Sequence, residues 1–375
     1  MHTSAAMRRR LALAVPLATL LLASPSAAQA PPAPDFEEEL TVEEVLLDVL
    51  VTDRQGNVIV GLGKDDFVVE EEGEPVALTS VTFYSNRELV GSDPLPATAL
   101  REELADRYFV VFLHDQRDQL PALTSQQMQA ARAMRQWARR HVGARDWVAV
   151  AGYDVNLRLY SDFSNDPEVV AAAIEAALRR KDRGGNWPSR RPAGEAPSLL
   201  RGLPTGGPSA GRSVHHALRQ VAEALGPLQG RKNLLLFSIG FGEVDEFGTW
   251  SPDPRYYRPM MEALNDNNVA VYAVDLVPTA AGGAAQERTL NDSLSRLADD
   301  TGGRYYLNFN SFDAPLAAVA EENTGYYLLS YQSAHPARAS GFREVRVRTR
   351  HPGFQVRARK GYSFGEDAGG EVGSE

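Results

Sequence analysis

The middle of the chain alternates nearly continuous apolar runs with stretches of helical periodicity. Residues 108–114 (YFVVFLH) form such a run, as in a strand of a parallel sheet that helices cover on both faces. Residues 123–142 then place apolar side chains at helical spacing, and Gly143 ends this helix. The alternation predicts further strands at 147–153, 233–239, 269–274 and 304–307, and further helices at 166–180, 212–226, 258–267, 287–300 and 312–322. We therefore predict a doubly wound, Rossmann-like α/β domain over residues 107–323.

Short β-type runs flank this domain on both sides. They lie at 45–51, 57–60, 65–71 and 76–84 before it, and at 326–332, 342–350 and 354–362 after it. Their length and their regularly spaced turn residues are typical of antiparallel strands in a small sandwich. Neither group is large enough to make a good sandwich alone. We therefore expect segments 41–88 and 324–363 to pair into one Ig-like antiparallel β-sandwich, which flanks the α/β domain or receives it as an insertion.

Two other segments and one charged pattern complete this organisation. Residues 89–106 break the β pattern and are predicted to be a linker, and the glycine-rich, acidic residues 364–375 are predicted to be a disordered tail. In the last two β-type runs, arginines alternate with apolar residues, so one sheet face should be buried and the other rich in arginine. The arginines are Arg346, Arg348, Arg357 and Arg359.

The first thirty residues have the three parts of a secretory signal peptide. Arg8, Arg9 and Arg10 form a positive region, and residues 11–23 form an apolar run too short to span a bilayer. Small residues then surround a cleavage site after Ala30, and residues 31–40 are predicted to be a flexible leader. We expect an exported protein that is periplasmic or extracellular after cleavage.

Composition excludes several classes of function. The chain has no cysteine, which excludes disulfides, thiolate metal sites and a lipid-anchoring cysteine. Its formal charge of −10 becomes −13 once the three arginines of the signal peptide are removed, which argues against nucleic acid as a partner. No second apolar stretch is long enough to span a bilayer, so we do not expect the mature protein to be embedded in a membrane.

Most of the mature chain resembles the von Willebrand factor type A-related exported proteins of Acidobacteria and similar soil bacteria. The resemblance rests on LLDVLVTDRQGNVIVGLGKDDFVVEEEGEPVALTSV, YFVVFLHDQRDQ, LQGRKNLLLFSIGF, VAVYAVDLVP, LADDTGGRYY, TGYYLLSYQ and FREVRVRTRHPGFQVRARKGY, which occur in this order. It implies a type A domain with a Rossmann-like α/β fold beside a β-rich domain. It also implies an adhesion-like protein-interaction role.

Type A domains of this kind often hold a divalent ion through Asp-x-Ser-x-Ser, a threonine on a later loop and an aspartate after the fourth strand. Such oxygen ligands suit Mg²⁺ or Mn²⁺. This chain keeps Asp115 but has Arg117 and Gln119 at the serine positions, Ser213 one place from the threonine, and no aspartate after Ser238. We therefore predict a degenerate site with no metal and no cofactor, in which Arg117 neutralises Asp115. If a metal does bind, the fallback ligands are Asp115, Asp118 and Ser213.

Other residues with chemical potential give weaker signals. His215 and His216 lack the spacing of metal ligands and should lie on a helix surface. Ser238 lacks the G-x-S-x-G spacing of a hydrolase nucleophile, and the Gly240-Phe241-Gly242 turn lacks the lysine of a phosphate loop. Asp275 ends a strand, where a structural role is favoured over ligation. No catalytic activity is expected.

Two long insertions lie where the loops of an open α/β sheet bind ligands. Residues 179–212 are basic, whereas residues 243–258 are acidic and contain Phe247 among other aromatics. Exposed aromatic and arginine side chains are typical interface anchors, although aromatics can also simply fix a long loop to its domain. The candidate binding residues at this edge are His114, Asp115, Arg117, Asp118, Gln119, Trp187, Arg212, Ser213, Ser238, Trp250, Tyr256 and Tyr257.

Three functions from different classes remain open at this point. The first is an exported protein-interaction module that binds an unknown protein partner, in the envelope or outside the cell, through these loops. The second is a structural component of a cell-envelope assembly that uses the arginine-rich sheet face. The third is an uncharacterised hydrolase, which the absence of a recognisable nucleophile and base disfavours.

Overall fold

The computed structural model describes residues 44–85, 101–118, 121, 123–181, 194–204, 213–247, 249–277, 285–307, 311–333 and 340–365. For residues 101–104 and 285–289 it describes the backbone alone. All of these residues belong to one compact unit, Thr41–Glu375. The predicted signal peptide and leader, and residues 366–375 of the predicted tail, lie outside the described residues.

The described residues form strands and helices in the following order. The strands are β1 (Glu44–Thr52), β2 (Phe67–Glu71), β3 (Glu74–Val76), β4 (Leu78–Ser85), β5 (Arg101–Leu104), β6 (Arg107–His114), β7 (Asp146–Tyr153), β8 (Leu157–Ser164), β9 (Lys232–Ser238), β10 (Glu243–Val244), β11 (Trp250–Ser251), β12 (Val269–Asp275), β13 (Arg304–Tyr306), β14 (Gly325–Gln332), β15 (Gly341–Thr349), β16 (Gln355–Arg357) and β17 (Gly361–Phe364). The helices are α1 (Leu123–His141), α2 (Pro167–Leu178), α3 (Val214–Leu225), α4 (Pro254–Asp266), α5 (Ala285–Asp300) and α6 (Asp313–Glu322).

The α/β part of the chain is built on a six-stranded sheet in the order β13-β12-β9-β6-β7-β8. Neighbouring strands run parallel except for β7 and β8, which are antiparallel. Helices pack on both faces because alternate residues of the buried strands point in opposite directions. In β9, for example, Leu234 belongs to one apolar core and Leu235 to the other. The predicted doubly wound α/β fold is therefore confirmed.

Local sequence explains where two of the helices begin. The Asp166 side chain accepts a hydrogen bond of 2.8 Å from the backbone N–H of Glu168, and proline follows as the first residue of α2. Asp253 does the same for α4, where it accepts a bond of 3.0 Å from the N–H of Arg255. An acidic cap satisfies a free N–H group, and proline has no N–H to leave unpaired. Helix α4 therefore begins four residues earlier than the apolar periodicity predicted.

The β segments before and after the α/β domain pair with each other. One sheet has the order β16-β1-β14-β4-β5 and the other β17-β15-β2-β3. The first joins Val45 of β1 to Tyr331 of β14, and the second joins Val69 of β2 to Val347 of β15. We call these two sheets together the two-sheet region. Within the described chain it is assembled from both sides of the α/β domain.

The two sheets share one apolar core centred on Tyr327. Its ring lies 5.3 Å from that of Phe67 and 4.9 Å from that of Phe83, so it contacts side chains of both sheets. Its hydroxyl donates to the carbonyl of Ile59 at 2.9 Å and accepts from the N–H of Leu62 at 3.1 Å. A buried tyrosine needs such partners for its polar end. Tyr327 therefore fixes the 59–62 loop as well as the core.

Three details of the β prediction were wrong. Residues 57–60 form no strand and contribute only one bridge, between Val58 and Thr52. Residues 101–104, expected in the linker, form β5 parallel to β4. The run 354–362 divides into β16 and β17, which join different sheets.

The four arginines of the C-terminal β runs do not share one exposed face. Arg346 and Arg348 are exposed, but they pair with Glu344 and Glu70. Arg357 lies nearly buried against Glu322 at 2.7 Å, between the two-sheet region and α6.

Arg359 also points inward. It donates to the backbone carbonyl of Asn265 at the end of α4 and to that of Leu46 in β1, the latter at 2.8 Å. Because these side chains connect the two parts of the fold, the arginine-rich surface predicted from strand alternation was wrong. Among the described residues, no helix is both long and apolar enough to cross a membrane.

Candidate functional site

Strands β6, β7, β9 and β12 end on the same side of the parallel sheet, and we call this side the carboxyl edge. His114 is the last residue of β6 and Asp115 follows it. Ser238 ends β9 and Asp275 ends β12. These strands are neighbours in the sheet, so the edge gathers residues that are far apart in sequence. This is where open α/β sheets bind ligands.

Two arginines hold Asp115. Arg117 donates to both of its carboxylate oxygens, at 2.9 and 2.7 Å, and Arg180 donates to one at 2.6 Å. Arg117 also donates to the carbonyl of Leu178 at 2.9 Å, and Arg180 bonds both oxygens of Asp118 at 3.0 Å. The ion pair expected between Arg117 and Asp115 is present, and Arg180 is a second, unpredicted partner.

Chain topology brings Arg180 to this place. Strand β8 runs back from the carboxyl edge because it is antiparallel to β7, and α2 then returns to the edge. Arg180 follows α2 with a φ of 52°, in the left-handed region that ends many helices. No local pattern in the sequence marks an ion pair that spans 65 positions.

This donor set does not fit a divalent ion. Burial opposes ionisation of Asp115, but the hydrogen bonds from Arg117 and Arg180 outweigh it, and its pKa lies well below the ordinary value. The carboxylate is therefore ionised, and guanidinium groups stand where a cation would bind it. The Ser213 hydroxyl caps α3 by accepting from the N–H of His216 at 3.3 Å. Throughout the described segments, no three His, Asp or Glu side chains converge as metal ligands.

A buried polar network lies beneath the edge. Ser238 is fully buried, and its hydroxyl lies 2.9 Å from Nδ1 of His114. The amide of Gln116 donates to the carbonyl of Gly240 at 3.0 Å and accepts from the N–H of Ile239 at 3.1 Å. Gln116, which the sequence analysis missed, thereby joins the loop after β6 to the loop after β9.

The contact between Ser238 and His114 does not make a nucleophile and base. Burial, with a smaller effect of the nearby His215, lowers the pKa of His114 to about 3 against the opposing charge of Asp115. Such a histidine is a weak base, and its serine has no exposed surface. General-base catalysis needs a pKa near the working pH and access to substrate. Both residues support the edge from below rather than contact a partner.

Asp275 is a structural acid at the end of β12. It accepts hydrogen bonds from the N–H of Val277 at 2.8 Å, from Asn291 at 3.0 Å and from the hydroxyl of Tyr305 at 3.2 Å. Burial raises its pKa to about 6 in spite of these bonds. It therefore fixes the turn after β12, as favoured from the sequence.

Trp250 and Tyr257 are not exposed anchors. Both are buried, and their rings pack edge to face at 5.8 Å. The indole N–H of Trp250 donates to the carbonyl of Phe241 at 2.9 Å, and a side chain at Gly242 would collide with this indole. The expectation that these aromatics form a binding surface was wrong, because they fix the loop to the domain.

The same loop presents one aromatic side chain largely to solvent. Strands β10 and β11 form a short hairpin, and Phe247 at its tip is 84% exposed. The Asp245 side chain accepts from the N–H groups of Phe247 and Thr249, at 2.9 and 2.8 Å, while its own N–H donates to the carbonyl of Thr249 at 3.0 Å. These bonds restrain the backbone at Phe247 and Thr249, and the buried Trp250 anchors the base of the hairpin.

The remaining candidates divide into three groups. Tyr256 stays 52% exposed at the start of α4, beside the guanidinium of Arg255. The ring of His215 packs against the ring of Phe241, with 4.9 Å between their centroids, so this histidine contributes to the hydrophobic side of α3. The candidates Gln119, Trp187 and Arg212 lie outside the described residues.

No protein-family model and no curated protein sequence matches this chain. Similar solved structures include proximal thread matrix protein 1 from the mussel byssus, at 12% identity and a TM-score of 0.37, over 58% of this chain and 48% of that one. The present chain thus spans about half the length of the mussel protein.

Two bacterial structures are similar to the same degree. A von Willebrand factor type A protein from Catenulispora acidiphila has 12% identity and a TM-score of 0.36, over 86% of this chain and 74% of its own. The vWF domain of the type V pili tip protein Mfa5 from Porphyromonas gingivalis has 11% identity and a TM-score of 0.36, over 58% of this chain and 95% of its own. The likeness concerns fold alone, and the α/β fold of this chain rests on its own strand order.

Proposed function

We propose that the protein is an exported, non-enzymatic interaction module that binds a protein partner through its carboxyl edge without a metal ion. In this proposal a type A-related domain stands on an Ig-like platform formed by the two-sheet region. The observation that carries the proposal is the β10–β11 hairpin, in which Phe247 is 84% exposed beside the edge of the sheet.

An exposed aromatic side chain is well suited to bind a protein. A phenylalanine buries a large apolar area when it enters a pocket, and aromatic side chains are enriched at interfaces. Because the Asp245 side chain already restrains the backbone at Phe247, less conformational freedom is lost there on binding. Tyr256, in the first turn of α4, and Val155, in the turn after β7, are further exposed side chains on this side of the sheet.

The arginines around Asp115 support independence from metal. In a metal-dependent edge, chelation of the ion would abolish binding. Here Arg117 and Arg180 neutralise the carboxylate from within the chain, at 2.7 and 2.6 Å. Recognition through this edge then needs no Mg²⁺ or Ca²⁺.

Affinity capture from native envelope extracts, run with and without EDTA, tests the proposal. We expect the wild-type protein to retain one or more partners equally in both conditions, and the double variant Phe247→Ser with Tyr256→Ser to lose them. Val169→Ser is the matched control, because Val169 is also an exposed apolar residue but lies on α2 where the helix leaves the opposite edge. Capture that survives the double variant, or that EDTA abolishes, would refute the proposal.

A further inference from the structure

A groove separates the two-sheet region from the opposite, amino edge of the parallel sheet. Its cavity volume is about 800 Å³, within the roughly 300–1,000 Å³ of small-molecule sites. The residues that begin the strands line one side of it, among them Tyr108 of β6 and Lys232 of β9. The groove is therefore remote from the carboxyl edge, and the proposed function does not use it.

One wall of the groove is apolar and aromatic. It consists of Leu46, Leu328, Tyr84 and Tyr326, from three neighbouring strands of the five-stranded sheet. Tyr84 and Tyr326 lie opposite each other in the β4–β14 register, and their rings stack at 5.4 Å with 13° between their planes. Both tyrosines are half-buried and Leu46 is 46% exposed, so part of this apolar wall is open to the groove.

The facing wall is polar and rich in amides. Gln229 is exposed at the rim, and Asn267 and Asn268 are half-buried in the turn after α4. Each carboxamide side chain can donate and accept hydrogen bonds. Asp106 and Arg145 also line this side, paired with each other at 3.3 Å.

The floor of the groove contains a buried carboxylate in need of donors. Asp48 lines the groove, is 3% exposed, and neither of its oxygens has a hydrogen-bond partner within the described structure. Burial raises the pKa of Asp48 above its ordinary value, against the smaller, lowering effect of the charges of Arg231, Arg359 and Lys232. What its oxygens lack are hydrogen-bond donors. A hydroxyl group in the groove can act as such a donor through a water molecule beneath it, because neither oxygen is itself exposed.

We propose that this groove binds a short oligosaccharide. The C–H face of a sugar ring fits the stacked tyrosines, because the negative face of an aromatic ring attracts weakly positive hydrogens. Its hydroxyls, each both donor and acceptor, match the amides opposite and the carboxylate on the floor. An extended peptide fits less well. The strands that carry Tyr84 and Tyr326 are paired on both sides, so they offer no free edge there for main-chain pairing.

The proposal can be tested with the purified protein on an array of defined bacterial oligosaccharides, followed by calorimetric titration with the strongest hit. We expect binding that Tyr84→Leu weakens by roughly tenfold or more, because the aromatic face is lost while apolar bulk is kept. Gln229→Trp should also weaken it, since an indole at the exposed rim obstructs the groove without disturbing the core. Thermal unfolding of each variant verifies that it is folded.

Tyr256→Leu is the matched control for Tyr84→Leu, because it removes an exposed tyrosine at the carboxyl edge. It should leave sugar binding unchanged. Absence of any sugar binding at millimolar concentration would overturn the proposal, as would binding that both groove variants leave intact, or a peptide that occupies the groove instead. Such a failure would not affect the proposed function, which is tested by Phe247 and Tyr256 at the other edge.

Discussion

The stability of this protein should carry a pH dependence that originates at Asp275. The folded pKa of this carboxyl is raised to about 6 from an ordinary value of 3.8, which corresponds to about 3 kcal/mol. Between these two pH values the folded state holds a proton that the unfolded state has released. The free energy of unfolding therefore falls as the pH rises from about 4 to about 6, and the loss is complete above the folded pKa.

Asp275→Asn removes this dependence, because an amide does not ionise. Asn291 can turn its unpartnered carbonyl oxygen towards the new amide, so the local contacts can be kept. In urea unfolding at a series of pH values, the free energy of the variant minus that of the wild type should rise by up to about 3 kcal/mol from pH 4 to pH 8.

Asp299→Asn is the charge-matched control for this experiment, because Asp299 is exposed at the end of α5. Its difference from the wild type should not follow the same curve. A difference for Asp275→Asn that stays constant within about 0.5 kcal/mol over this range would refute the reasoning. Such a result would mean that the hydrogen bonds to the ionised Asp275 carboxylate fully offset the effect of burial on its pKa.

Three further predictions concern single residues. Gly240→Ala should lower the melting temperature far more than Gly73→Ala. Both glycines have positive φ, but only the methyl group added at Gly240 would collide with backbone atoms; equal losses in the two variants would contradict this. The His114 ring should stay neutral in NMR titrations from pH 8 down to about pH 4, and a midpoint near 6.5 would show that it is not buried as described. Arg107→Ala should cost about 3–5 kcal/mol in denaturant unfolding because it leaves the buried Asp146 unpaired, whereas a loss below about 1 kcal/mol would show that the pair is solvated.

Much of the α/β fold could be predicted because its strands are long apolar runs with clear helical stretches between them. Strand β8 was missed although Leu157, Leu159 and Phe163 are buried and lie two and four residues apart, on one face of the strand. Its partly exposed residues, Ser161 and Asp162, interrupt the alternation, since an edge strand needs only one packed neighbour. Edge strands therefore leave a weaker pattern than central ones.

The candidate site was less predictable because its contacts are long-range. Asp115 and Arg117 are close in sequence, and their ion pair could be foreseen. Arg180 has no such signal, because the antiparallel turn into β8 decides where α2 ends. The aromatics of the 243–258 loop show the same limit, since composition identifies them as anchors but cannot tell that Trp250 faces inward and Phe247 outward.

The pairing of chain segments in the two-sheet region has a mechanical consequence. The chain leaves this region at Leu104, the end of β5, and returns at Gly325, the start of β14. Both residues lie beside Ser85 of β4, so the α/β domain is attached through the two strands that flank β4. Tension applied between residues 44 and 365 would pass through β1, β17 and the core they share, and would bypass the α/β domain. The hydrogen bonds of β1 with β14 and β16 would resist it in shear. The carboxyl edge could thus keep its shape while the chain that supports it is under load.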